Sequence, residues 1–93
     1  MADEEPRYDE IVSREAVERL ASRPDALGQL AMKMLGSTDE EEVFRSGVRA
    51  YISKTDQKKR RFAIAALATA FEIDDRTALK RLLRYWGVVN ERD

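Results

Sequence analysis

The sequence predicts an all-α fold, a compact bundle of about five helices, on three observations. Apolar residues recur at i, i+3/i+4 spacing through most of the 93 residues. No segment alternates apolar and polar residues with the period of two that a half-buried strand would show. Glycine and proline together number only six, and there is no internal repeat or low-complexity tract.

Residues 1–7 carry no periodicity and read as a disordered leader, leaving 8–93 as a single helical domain. From Tyr8, the positions Tyr8, Ile11, Val12, Ala16 and Leu20 follow one helical stripe. Arg23-Pro24-Asp25 interrupts it, because proline starts helices better than it continues them. Ser22 or Asp25 can cap a second helix with stripe Leu27, Leu30, Ala31, Met34 and Leu35, and Gly36 suits its C′ position. Met32 and Met34 read as core filler. Thr38 and Glu41 are spaced as a capping box for a third helix that buries Val43, Phe44, Val48, Tyr51 and Ile52. The acids Asp39 to Glu42 sit where the helix dipole favours negative charge, and they lack the alternating ligand spacing of a calcium loop.

Thr55 or Asp56 can cap a fourth helix with Lys58, Lys59, Arg60 and Arg61 in its early turns. Its later part, Phe62 to Phe71, is apolar nearly all round and should be the most buried helix. Asp74-Asp75 then caps a fifth helix with stripe Ala78, Leu79, Leu82, Leu83 and Trp86, stopped at Gly87, with Val88 and Val89 folding back on the core. The domain thus divides into acidic N-terminal helices over 8–54 and a C-terminal helix-turn-helix over 55–89.

Composition removes many function classes. Cysteine and histidine are both absent, so there are no disulfides, thiolate nucleophiles or imidazole ligands. No phosphate-binding Gly-x-x-x-x-Gly-Lys or Gly-x-Ser-x-Gly motif occurs. Adjacent acids such as Asp74/Asp75 read as helix caps rather than an acid–base pair. No enzyme activity, cofactor, metal or small-molecule ligand is expected. No stretch approaches the roughly 20 apolar residues needed to cross a bilayer. The acidic start, MADEEPRYDE, is unlike a secretory signal, so no membrane partner and a cytoplasmic location are expected.

The net charge of −1 hides an asymmetry. Residues 1–45 hold twelve acids and six bases, a balance of −6; residues 46–93 hold eleven bases and six acids, a balance of +5. The bases of the second half cluster at Lys58-Lys59-Arg60-Arg61 and at Arg76, Lys80, Arg81 and Arg84. Such asymmetry points to an anionic partner.

Residues 65–84, AALATAFEIDDRTALKRLLR, join an alanine-rich helix to a basic amphipathic one. A DNA-binding helix-turn-helix needs a small residue in its first helix, apolar residues bracketing the turn, and a basic outer face on the second helix. Ala68, then Phe71 and Ile73, then Arg76, Thr77, Lys80, Arg81 and Arg84 meet these requirements in order, with Ala78 and Leu82 inward. Arginine and lysine there suit phosphates or guanine edges. Tyr85 and Trp86 fit core or dimer contacts better than base stacking.

This stretch resembles the helix-turn-helix of the Fis-type family, also found at the C-terminus of NtrC-like activators. The matching residues are Ala66 to Phe71, Ile73-Asp74, Thr77, Lys80-Arg81-Leu82 and Tyr85-Trp86-Gly87, about a quarter of the chain. The resemblance implies a wingless, dimeric binder of double-stranded DNA, a transcriptional regulator or nucleoid-associated protein. The acidic N-terminal helices, with their apolar stripes, are the expected dimer surface. The sequence departs from the family in two places. Glu72 stands where the turn glycine belongs, which makes a left-handed turn costly. Asp75 stands where a basic residue is usual, and Asp74-Asp75 repel phosphate unless engaged in capping. The competing expectation is a non-catalytic interaction module whose basic C-terminal face docks an acidic protein. RNA is less favoured, because no aromatic-rich sheet or Gly-x-x-Gly loop is visible.

Overall fold

Tyr8–Ile11 (α1), Arg14–Leu20 (α2), Ala26–Leu35 (α3), Glu40–Ser53 (α4), Arg60–Ala70 (α5) and Arg76–Tyr85 (α6) are helical in the computed structural model, which describes residues 5–90. A 3₁₀ turn, Gln57–Lys59, precedes α5. Of the expected leader, residues 1–4 lie outside the described residues, and residues 5–7 lead into α1 without regular structure. The all-α expectation holds, and no strand occurs among the described residues. The described helices share one core, and the radius of gyration of 12.6 Å is close to the roughly 12 Å of a compact chain of this length. No helix among the described residues is long and apolar enough to cross a membrane.

The helix expected from Tyr8 to Leu20 is in fact two. Ser13 is an N-cap whose Oγ accepts the Ala16 N–H at 3.1 Å, while Val12 ends α1 in an extended conformation. The serine side chain competes with the ladder and wins, because capping rescues a donor that would otherwise be orphaned. Asp25 rather than Ser22 caps α3, accepting the Gly28 N–H at 3.1 Å. The α4 cap moves from Thr38 to Asp39, which accepts the Glu42 N–H at 3.2 Å and gives its own N–H to Ser37 Oγ at 3.0 Å. With acids at both Glu41 and Glu42, either register satisfies the box spacing, and aspartate is the stronger cap. Gly36 is the C-cap of α3 itself, at φ −88°, rather than the C′ residue beyond it.

The fourth expected helix begins later than its basic cluster. Thr55 is occupied with the end of α4, its hydroxyl donating to the Tyr51 carbonyl at 3.2 Å, and Asp56 makes no side-chain cap bond. Without a cap, Lys58 and Lys59 lie in the 3₁₀ turn and only Arg60 and Arg61 open α5.

The core centres on Phe44 of α4, which has no exposed surface. Its ring meets Tyr8 at 5.2 Å, Phe71 at 5.0 Å edge-on and Trp86 at 5.9 Å edge-on, so residues beside or within α1, α5 and α6 converge on it. Such aromatic pairs add about 0.5–1.5 kcal/mol each beyond area burial. Met34 is buried as expected, but Met32 is 60% exposed; residues two apart on a helix lie about 200° apart, so only one can face the core. Phe62 is likewise 69% exposed, so α5 is not uniformly buried as its composition suggested.

Candidate nucleic-acid interface

The connection from α5 to α6 positions the basic helix. Alpha5 ends in a Schellman turn: the Ile73 N–H bonds the Ala68 carbonyl at 2.8 Å and the Glu72 N–H bonds the Thr69 carbonyl at 3.2 Å. Glu72 takes the left-handed position at φ 57°, the costly conformation expected where a glycine would serve. Its carboxylate is held from outside the pair. Arg19 on α2 donates Nε to Oε2 at 2.8 Å and Nη2 to Oε1 at 2.7 Å, and this fork holds the Glu72 carboxyl below the usual glutamate range.

Phe71 and Ile73 are buried on either side of the turn. Asp75 then caps α6, accepting the Ala78 N–H at 3.0 Å. Of the two acids expected to repel phosphate here, Asp75 is spent on capping while Asp74 remains exposed, and the neighbouring Glu72 is ion-paired. The C-terminus of α6 repeats the Schellman pattern. Val88 N–H bonds Leu83 carbonyl at 2.8 Å, Gly87 N–H bonds Arg84 carbonyl at 3.0 Å, and Gly87 has φ 74°.

Helical geometry sorts α6 into two faces. At about 100° per residue, Arg76, Lys80, Arg84, Thr77 and Arg81 fall within an arc of roughly 140°. The opposite side carries Leu79, Leu82 and Leu83, all buried, together with half-buried Ala78. Arg76, Thr77, Arg81 and Arg84 are exposed and Lys80 is half-buried. The other basic group sits at the start of α5, where Lys58, Lys59 and Arg61 are exposed and Arg60 is half-buried with its Nε shielded from water.

Trp86 lies against Phe44 and the core, whereas Tyr85 is 55% exposed at the edge of the basic arc. Tyr85 donates its hydroxyl to Glu5, which raises the Tyr85 pKa. Glu5, Pro6, Arg7, Glu10 and Ile11 face Ala78 and Arg81 of α6 across a shallow cleft.

Three contributors to this surface escaped sequence reasoning. Arg49 of α4 donates Nη2 to the Trp86 carbonyl at 3.2 Å, and the Arg45 guanidinium lies 5.5 Å from the Trp86 ring centroid, so the C-terminal end of α6 gathers cations where its dipole favours them. The third is Arg19. None of the three is near α6 in sequence, and only the fold brings them there.

The apolar stripes of the N-terminal helices are consumed internally. Val17, Leu20, Leu30, Met34, Val48 and Ile52 all belong to the core, so they are not an open surface for a second copy. The chain matches no family model, no curated protein and no solved structure.

Proposed function

We propose that this domain is a non-enzymatic binder of double-stranded DNA, of the transcriptional-regulator or nucleoid-associated kind, acting in the cytoplasm as a homodimer. The observation that carries the reading is the one-sided basic arc of α6, set behind a closed turn whose acids are largely engaged. In this reading α6 enters the major groove with Arg76, Thr77 and Lys80 nearest the base edges. Arg81, Arg84, Lys58, Lys59, Arg60 and Arg61 hold the phosphate backbone. One small module buries little surface, so two copies supply useful affinity.

Anisotropy titration of a random-sequence duplex at about 50 mM and about 200 mM salt tests it, because log K falls by about 0.9 per phosphate neutralised for each unit of log salt. Tight binding at low salt with a steep slope is expected, and absence of binding at low salt overturns the reading. The second reading, an acidic protein docked on the same face, draws on Glu5, a carboxylate of this chain that already meets Tyr85 beside that face. A salt-steep interaction with polyglutamate but not with duplex would select it.

A further inference from the structure

Beyond Arg61, the solvent side of α5 is uncharged. Phe62, Ala65, Ala66 and Thr69 recur at i, i+3, i+4 and i+7, one stripe of the helix, with Phe62 and Thr69 exposed and the two alanines half-buried. Beside the stripe runs a shallow groove in which Ala65, Ala66 and Thr69 meet Leu27 of α3 and Tyr51 of α4, with Arg23, Asp25 and Ala26 also lining it. Phe62 is 69% exposed on this stripe; a single apolar side chain at a surface is ordinary, and what singles this face out is the charge that flanks it.

We infer that this face of α5 binds a second copy of the chain, antiparallel and two-fold symmetric. Charge is unevenly distributed along α5 and its flanks. Lys58, Lys59, Arg60 and Arg61 stand at its start, and Glu72, Asp74 and Asp75 follow its end. A parallel pairing sets like charges together. An antiparallel pairing about an axis between Ala65 and Ala66 sets each basic start over the acidic end of the other copy, and a two-fold contact is self-complementary by construction. In that register Phe62 of one copy faces Thr69 of the other, Ala65 faces Ala66, and Lys59 faces Glu72. The paired alanines let the two helices approach closely, and each Phe62 lies toward the groove beside the second copy's Leu27 and Tyr51. The contact leaves the exposed basic arc of α6 outside it, since Leu79 and Leu83 of α6 share the core with the buried residues of α5; in this dimer Lys59 faces the second copy instead of phosphate.

The assignment does not rest on duplex binding, since the decisive measurement contains no DNA. Sedimentation equilibrium of the intact chain up to about 100 µM is expected to show a monomer–dimer equilibrium. Phe62→Lys should weaken dimerisation at least about tenfold with helicity unchanged, and Lys59→Glu should weaken it several-fold. Thr69→Lys, at an exposed site, gives the same reading if Phe62→Lys does not fold. The chain has no cysteine, so Ala65→Cys places one thiol per copy beside the axis. Oxidised glutathione should convert it rapidly to an interchain disulfide, while Met32→Cys on α3 should not cross-link. A monomer at the highest concentration, or a dimer indifferent to both lysine substitutions, overturns the inference.

Discussion

Arg19 and Glu72, fifty-three positions apart, are joined by two hydrogen bonds of 2.8 and 2.7 Å that tie α2 to the turn between α5 and α6. The pair is exposed at the surface, so its worth lies less in net stability than in holding the orientation of the turn. A fork of two parallel donors restricts the carboxylate to one plane, and through it the one described non-glycine residue with positive φ.

The pair gives a defined acid response. Because Arg19 holds the Glu72 carboxyl below its ordinary range, the folded state binds fewer protons there than the unfolded state. That contribution is complete above the ordinary glutamate pKa and is lost as pH falls through the lowered folded value. Glu15 and Glu18 also face Arg19, so the comparison must be between variants. Arg19→Leu should lose less stability than the parent between pH about 5 and about 3 in urea titrations. An identical acid limb in the two proteins would remove the pair from the turn. Glu72→Gly, which relieves the left-handed backbone while deleting the pair, should be at least as stable as the parent below that window.

The helical stripes were legible because each apolar residue buried in α3, α4 and α6 repeats with the period of the helix. The break at Ser13 was not, since Val12 continues the apolar rhythm although its backbone is extended. The α4 cap slipped by one residue because an unbroken run of acids, Glu40 to Glu42, offers the same spacing to Thr38 and to Asp39. Met32 was decidable in principle, being on the far side of the helix from Met34. The basic arc of α6 was legible residue by residue. Its supports, Arg19, Arg45 and Arg49, were not, because no local pattern ties them to a helix dozens of residues away.

Tyr8 makes the alkaline limb of the stability curve testable. Its hydroxyl donates to Glu40 at 2.9 Å, and Arg14 donates to the other oxygen of the same carboxylate at 3.0 Å. Burial first, and then the Glu40 hydrogen bond and the charges of Glu40 and Glu41, push the phenol well above its usual range. The folded state therefore keeps a proton that the unfolded state releases above pH about 10, and this stability fades as pH rises past that point. Tyr8→Phe should cost about 1 kcal/mol at neutral pH through the lost hydrogen bond. It should also flatten the loss of stability above pH about 10, the difference from the parent being the signal because Tyr85 is raised as well. Equal alkaline slopes would show that Tyr8 ionises freely.

Gly28 is required by contact rather than by backbone angle. A Cβ built there would stand 2.0 Å from the Arg23 carbonyl oxygen and 2.7 Å from its carbon. Both are backbone atoms of the turn that Asp25 caps, so no rotamer relieves the clash. Alanine is the better helix former by about 1 kcal/mol, which is less than the cost of displacing the turn. Gly28→Ala should therefore destabilise by about 1–3 kcal/mol in denaturant titrations. A stabilised variant would mean that the turn before α3 moves easily.

Lys80 and Arg81 occupy adjacent positions on α6, one half-buried and the other exposed at the cleft that Glu5 and Glu10 help to line. If the basic arc holds phosphates, each phosphate-bound cation lost subtracts about one unit from the slope of log K against log salt. Lys80→Glu with Arg81→Glu should thus cut duplex affinity by about a hundredfold or more at low salt and flatten the slope by about one unit, that of the phosphate contact of Arg81. Helicity should be unchanged, because Leu79, Leu82 and Leu83 carry the packing of α6 on the other side. Replacing Glu5 and Glu10 with glutamine removes two acids beside the same cleft and should shift affinity the opposite way, by a few-fold and only at low salt, since charges at that range are screened over about 10 Å at 0.1 M. A duplex affinity that ignores both pairs of substitutions would move the binding surface off α6.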